Sequence, residues 1–494
     1  MELTNNKLLD IRVFTALASL ILSLFVYFNS DIINRDGILY INLAEAYIEG
    51  GLAETVKLYN WPFYPILIAS INQLTSFPLE DCAHLLNALL LVLMLDTLLL
   101  ICNKLLDGNY QQLSTAAVLF ICFQPFNEYR DFIIRDFGYW AFCCLTLYRF
   151  IIFLEKPSIQ NATIWQIVAV IAVLFRIEGI VILIGLPLYL FIHNSPMSAV
   201  LQIIKLNYLY ILISPLVIGL ATEMPEVISA FNKVTTIVDY TNLDTLLSAF
   251  NQKSYIIQTQ ILNHHSAHYS GFILSSGLIA MLIYKLIKAT SFSYLSIYLL
   301  ARWHNKKIFP TPYRNLIIYF FAINVLILLT FLFKQYSISQ RYSIVAVISL
   351  ILLALPRLTG FIVHAWSSQN KVILSVLGLI LFIGLVDSIT SSRSKTYIKD
   401  TAIWARTHLP EKSSIVTNDI FIKYYYNNYK PKTSSFLKLS KRPKRYRKYD
   451  YLILVEKNKD SKLNSFLSTM EIEKVYSIET KRKNKATVYK VLLD

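Results

Sequence analysis

Apolar stretches of roughly 17–25 residues, the length needed to cross a hydrocarbon core, recur along this chain from Ile11 to Leu385. They predict about eleven spans, at roughly 10–29, 79–102, 111–127, 136–154, 162–176, 178–193, 205–222, 271–289, 315–333, 342–357 and 372–390. The first, IRVFTALASLILSLFVYF, is longer than a signal-peptide core and has no small-residue cleavage site before Asp31, so it reads as a retained span. Basic residues in short loops set the orientation of such a bundle. Lys104, Arg149, Lys156, Lys205, Lys285, Lys288, Arg302, Lys306, Lys307, Arg314 and Lys371 fall after even-numbered spans, which makes that side cytoplasmic and sends the C-terminus outward.

Three outer segments are too long to be turns. Residues 31–78 hold two short amphipathic helices, RDGILYINLAEAYIEGG and YNWPFYPILIASINQLTSF, whose aromatics suit the interface. Residues 222–270 form a second loop. The membrane region thus covers 1–390, and 391–494 alternates helix and strand patterns in the manner of a small sheet covered by helices. The fold class expected is mainly α: a polytopic helical bundle with a C-terminal α/β domain outside the membrane.

Composition agrees. Of 494 residues, 55% are hydrophobic and 16% charged, against about a quarter charged in soluble proteins. The net charge of +16 sits largely in the tail, where 23 basic residues face 10 acidic ones from Lys395 onward. An outward tail does not meet nucleic acid, so the basic run KRPKRYRK reads as a solvated loop or as a site for anionic lipid headgroups or a phosphorylated glycan. Five cysteines lack a CxxC pair and read as small core residues. His264 and His268 in HHSAH have two-histidine spacing but no acidic or cysteine partner beside them, which favours a solvated loop. Asp96, in the middle of LLLVLMLDTLLL, calls for a partner on a neighbouring helix.

Ionisable residues collect at the outer ends of the spans: Asp36; Glu128, Arg130, Asp131, Arg135 and Asp136 in FNEYRDFIIRDFGYW; Arg176 and Glu178 in LFRIEGI; Lys334 and Arg341 around KQYSISQRYS. Charge near hydrocarbon is costly, so a convergent set marks a functional cavity or, residue by residue, snorkelling and local pairing. Cations that clamp a phosphate and carboxylates that take a proton fit a lipid-phosphate substrate.

Four features resemble the GT-C integral-membrane glycosyltransferases, in particular the protein mannosyltransferase and aminoarabinose transferase-like group (glycosyltransferase family 39 and its relatives). They are Arg35-Asp36-Gly37 with Tyr40 and Ala44 after the first span, Trp61-Pro62-Phe63-Tyr64-Pro65, Arg135-Asp136-Phe137 opening the fourth span, and Gln340-Arg341-Tyr342 beginning a late one. The resemblance implies an inverting transfer of sugar from a polyprenyl-phosphate donor to a lipid, glycan or protein acceptor, in a bacterial inner membrane. It implies catalytic roles for Asp36 and Asp136, with Asp36 as general base or acceptor-orienting group. Arg341 and Arg176 lead the phosphate and donor contacts, followed by Arg35, Arg135, Lys334 and Tyr40. Asp36 also reads as a helix N-cap. Some such enzymes use a divalent metal (Mg or Mn) and others do not; no DxD triplet stands at Asp36, so no cofactor is assigned. The rival readings are a transporter or lipid flippase and a non-catalytic membrane scaffold.

Overall fold

The computed structural model describes residues 5–223, 242–304, 311–390, 395–427, 434–435, 443–458, 463, 465, 467–481 and 483–492. The chain divides into two compact units, one of residues 1–27, 43–130 and 134–391, the other of 28–42, 131–133 and 392–494. The mainly helical architecture and the small C-terminal sheet are both present. Among the described residues, eight helices are long and apolar enough to cross a membrane.

In chain order, α1 (Asn5–Asn29) leads to α2 (Arg35–Leu58), which kinks at Gly50–Gly51. Gly51 has φ 68°, a left-handed conformation open to a residue without Cβ. α3 (Phe63–Thr75) and α4 (Leu79–Leu105) each follow a proline at the N-cap, Pro62 and Pro78, where no helical N–H bond is lost. Asp96 of α4 finds its partner in Arg12 of α1, whose Nε and Nη2 lie 2.5 and 2.8 Å from the two carboxylate oxygens. This two-pronged pair satisfies both charges where hydrocarbon would leave them unsolvated.

Three expected spans come out short. Residues 111–127 form α5 (Tyr110–Ile121) and the single turn α6 (Gln124–Asn127), with Pro125 in that turn. After α7 (Asp136–Glu155), α8 (Ile159–Phe175) has 17 residues and ends at the Arg176–Glu178 turn. α9 (Gly179–His193) carries a 3-10 turn at Leu186–Tyr189, around Pro187. α7 packs against both α4 and α8 through fully buried Trp140, Phe150, Phe153, Trp165 and Phe175. Among the described residues, the remaining longer helices of this unit are α10 (Pro196–Glu223), α11 (Leu243–Ile256), α12 (Ser270–Thr290), α13 (Phe292–His304), α14 (Arg314–Gln335), α15 (Ile344–Ser367) and α16 (Lys371–Thr390). Within the expected loop 222–270, residues 224–241 lie outside the described set.

One placement from the sequence is corrected here. Lys285 and Lys288 belong to no loop: both lie inside α12, and the chain resumes as α13 after one residue, Ser291, at φ 71°. Ser291 donates to the Gln124 side chain, Tyr294 donates to the Leu119 carbonyl, and the charges of Lys288 and Asp387 act on Glu128. The break therefore falls part-way through the bundle, with α13 continuing along α15 to its far end, where His304 meets Phe361. Lys288 does stand in the last turn of α12, and no Gly or Pro marks how soon the chain resumes as α13.

The second unit takes in residues that the sequence had assigned to the membrane region. Asp31 accepts the Lys395 N–H at 2.9 Å, the Ile33 N–H reaches the Tyr425 hydroxyl at 3.1 Å, and Asn34 exchanges two hydrogen bonds with Ile133 at 2.7 and 3.3 Å. Among the described residues its sheet has five strands, β1 (Ile415–Thr417), β2 (Ser434–Ser435), β3 (Tyr451–Glu456), β4 (Ile472–Glu479) and β5 (Lys485–Val491), in the order β2-β1-β3-β5-β4. β1 runs parallel to β2 and β3, and β5 pairs antiparallel with β3 and β4. α17 (Thr396–His408) packs on β4 and β5 and against α18 (Ile420–Asn427). Val416, Leu452, Leu454 and Val491 form the core, and Trp404 of α17 stacks on Tyr476 with ring centroids 4.1 Å apart. The expected helix at 461–469 falls partly outside the described residues, as do Lys441 and Arg442 of the basic run. Pro443–Lys448 makes a 3-10 turn that buries Tyr446 and pairs Arg447 with Glu471 at 2.7 Å.

Candidate functional site

Four of the ionisable residues picked out by the sequence meet at one end of the first unit. Asp136 stands in the first turn of α7, Arg176 caps the C-terminus of α8 in extended conformation, and Glu178 precedes α9. The hairpin between α8 and α9 is tight: a Cβ on Gly179 would lie 2.9 Å from the Val173 nitrogen and 3.0 Å from the Ala172 carbonyl carbon. That closeness folds Glu178 back onto Arg176. The Arg176 guanidinium bonds Asp136 through Nη1 and clasps Glu178 through Nη2 at 2.7 Å and Nε at 3.3 Å. Arg341, from the 3-10 turn Gln340–Ser343 ahead of α15, places its Nε 3.9 Å from the second Asp136 oxygen.

Burial separates the roles of the two arginines. The side chains of Arg176 and Asp136 are 6% and 4% exposed, whereas that of Arg341 is 20% exposed. Arg176 is also roofed by aromatic faces, with its Cζ 4.1 Å from the Tyr342 ring centroid and 5.5 Å from that of Tyr139, cation–π contacts that strengthen as water is excluded. With two carboxylates and two rings around it, Arg176 is occupied, and it fixes Asp136. Arg341 is the more accessible cation. Burial pushes the Glu178 carboxyl up, but the adjoining Arg176 charge and hydrogen bonds, with help from Arg135, outweigh it and hold the group at about 2. Burial raises the Tyr129 phenol, keeping it neutral beside this charged set.

The other candidates are spread more widely. Arg135 lies over the Tyr59 ring at 5.8 Å, and Lys334 stands half-buried in the last turn of α14. Arg35, Asp36 and Tyr40 belong to the second unit: Arg35 is exposed, Asp36 half-buried and Tyr40 buried. Asp36 lies within the first turn of α2, which starts at Arg35, so it is not the residue that caps the helix. Arg130 serves as a staple, donating to Asn127 at 2.7 Å and, on α1, to the Ser19 carbonyl at 2.9 Å and the Ser23 hydroxyl at 2.7 Å. Burial pulls its guanidinium down to about 9. Asp131, in the second unit, is pushed up by burial to about 6, although its own backbone and Lys395 oppose the shift.

These donors do not suit a divalent ion. Asp136 and Glu178 already share a guanidinium, and among the described residues no three His, Cys, Asp or Glu side chains gather as a metal set. His264 lies in a turn and His268 in a 3-10 segment, so they share no α-helical face. Tyr139 and Tyr129 were missed by sequence reasoning. Tyr139 stands one helical turn beyond Asp136, on the same face, and that spacing was the available signal. Tyr342 was quoted only as a neighbour of Arg341. No family model matches this chain, and no curated protein matches it significantly.

Proposed function

We propose that this protein is a GT-C-like membrane glycosyltransferase that moves a sugar from a polyprenyl-phosphate donor to a lipid, glycan or protein acceptor at the outer face. One observation carries the reading: Asp136, Arg176 and Arg341, drawn from three separate parts of the sequence, converge at one end of the helical unit. The apolar spans suit a lipid-linked donor, and a C-terminal α/β unit suits the resemblance.

In this mechanism the acceptor's oxygen or nitrogen forms a bond to the anomeric carbon from the face opposite the phosphate. The carbon–oxygen bond to phosphate breaks with its electron pair, and polyprenyl phosphate leaves as an anion. A carboxylate takes the acceptor's proton, the role that the resemblance gives to Asp36. Arg341 meets the charge developing on the departing phosphate, where an oriented cation in a dry site is most effective. Arg176 acts through Asp136, which it holds in place, rather than as a second clamp.

The test is turnover by the purified chain with a panel of polyprenyl-phosphate sugars, comparing wild type, Asp36→Asn, Arg341→Ala and Arg341→Lys. One donor should yield polyprenyl phosphate with wild type, less with Arg341→Lys and none with Asp36→Asn. If no donor turns over while Asp36→Asn still complements a deletion strain, the transferase reading is wrong and a scaffold or transporter role replaces it.

A further inference from the structure

Asn324 lies in the middle of α14, one of the helices apolar enough to cross a membrane, and it is 4% exposed. A buried amide in such surroundings is costly unless its groups are hydrogen-bonded. Its Nδ2 turns back to the Phe320 carbonyl of its own helix at 2.8 Å. That leaves Oδ1, an acceptor, and among the described residues no donor reaches it. The helix itself is held close by. A little over one turn earlier, the Tyr319 hydroxyl donates to the Gly185 carbonyl of α9 at 2.9 Å, and a Cβ on Gly185 would lie 3.3 Å from Ile323.

Asn324 lines a small cavity, of about 20 Å³, together with Arg176, Glu178, Tyr139, Tyr342 and apolar neighbours such as Leu328. Arg176 brings donors to it. A guanidinium carries five N–H groups, and three hydrogen bonds go to Asp136 and Glu178. An acceptor without a donor and a cation with unused donors therefore border the same space. Size and charge decide what fills it. About 10–15 Å³ of such room holds one water, provided it meets two or more polar partners, so this cavity takes one water and nothing larger. A cation there would meet the Arg176 charge, and an anion would meet the Glu178 carboxylate. Cavities that stay empty are those with apolar walls.

We propose that a single buried water occupies this cavity, accepting a hydrogen bond from Arg176 and donating to Asn324 Oδ1 and to the Glu178 carboxylate. The water ties α14 to the turn between α8 and α9, and Asn324 joins the ion cluster although no direct bond reaches it. The inference rests on the geometry around Arg176 and is independent of the transferase reading.

The experiment is an experimental map of the full chain in detergent, by crystallography or electron cryo-microscopy, at a resolution that shows other buried waters. It should contain one water peak within hydrogen-bonding distance of Asn324 Oδ1 and of an Arg176 nitrogen. An unfilled cavity overturns the proposal, and so does an amide oxygen bonded directly to Arg176. Asn324→Leu supplies a second readout, the sign of a melting-temperature shift. In a dry cavity, exchanging an unsatisfied amide for an apolar side chain of similar size removes a penalty, and the melting temperature rises. Where water bridges the cluster, Leu expels it and leaves Arg176 and Glu178 short of a partner, so the melting temperature falls. That fall should shrink in an Arg176→Met chain, because one end of the bridge is already gone. A rise for Asn324→Leu, or an equal fall in both backgrounds, overturns the proposal. If Arg176→Met fails to fold, the wild-type map and the sign for Asn324→Leu still decide the question.

Discussion

Phe175 occupies the space that a side chain on Gly138 would need: a Cβ there would collide with ring carbons Cδ1, Cε1 and Cζ. The ring cannot swing away freely. It is 1% exposed and packs on Phe63 at 5.1 Å and Phe142 at 5.6 Å. Because Phe175 directly precedes Arg176, this contact between α7 and α8 also sets the reach of the guanidinium towards Asp136. Gly138→Ala should destabilise the protein by about 1–3 kcal/mol, the usual cost of forcing a methyl into a packed core. Thermal unfolding in detergent measures it; a variant as stable as wild type would show that the two helices do not approach this closely.

The ion cluster should respond unequally to loss of its members. Asp136→Asn leaves Arg176 clasped by Glu178. Arg176→Met instead leaves two neighbouring carboxylates in a buried site without their shared cation. Breaking a buried pair costs about 3–5 kcal/mol when the remaining charge is uncompensated, so Arg176→Met should approach that loss and Asp136→Asn should cost less. The order of melting temperatures tests this. If Asp136→Asn proves the more damaging, Asp136 does more for stability than its bond to Arg176 accounts for.

Two carboxyls give opposite pH signatures. Glu178 is held at about 2, below its ordinary value, so its stabilising effect is complete above about pH 4.5 and is lost as pH falls towards 2. Glu178→Gln should lower the melting temperature at pH 7, with the gap closing under acid. Asp131 is raised to about 6, so its favourable contribution is present below about pH 4 and is lost as pH rises through 6. Asp131→Asn should therefore stabilise the chain at pH 8, by on the order of 2–3 kcal/mol, and make little difference at pH 4. Melting curves for both variants across pH 3–8 read out the two signs.

Hydrophobic runs made the helical membrane region legible because span length is dictated by bilayer thickness, and the tail's alternation announced a small sheet. The short helices were less visible. A break such as that at Arg176-Ile177-Glu178 is short, and the apolar stretch beside it still reads as a full span. Asp136, Arg176 and Arg341 could be singled out because charge beside hydrocarbon is costly, yet nothing in their spacing says that Arg176 is filled by Asp136 and Glu178 while Arg341 is more open. That distinction arises from Gly179, whose close approach to Ala172 and Val173 folds the turn back. Residues 28–42 were read with the membrane region on proximity in sequence, whereas Asp31 and Ile33 bond to residues some 360 and 390 positions away. Long-range hydrogen bonds of this kind leave no periodicity.

Arg12 and Asp96 provide the sharpest test of how the bundle tolerates charge. Both lie within apolar helices, and each satisfies the other through two hydrogen bonds. Replacing only one leaves the partner charged among apolar spans, a cost of about 2.5–3.5 kcal/mol near the centre of a bilayer. Arg12→Leu and Asp96→Leu should therefore each reduce membrane yield and melting temperature. The double Leu variant removes both charges together and should recover most of the loss, since apolar replacement of a whole pair is often neutral. The exchanged pair, Arg12→Asp with Asp96→Arg, should recover less, because the longer side chain would now start from the other helix. Quantifying inserted, folded protein for all four variants distinguishes the cases. If the double Leu variant is no better than the singles, the pair supports something beyond its own charge balance, and the bond between α1 and α4 has a role that packing cannot replace.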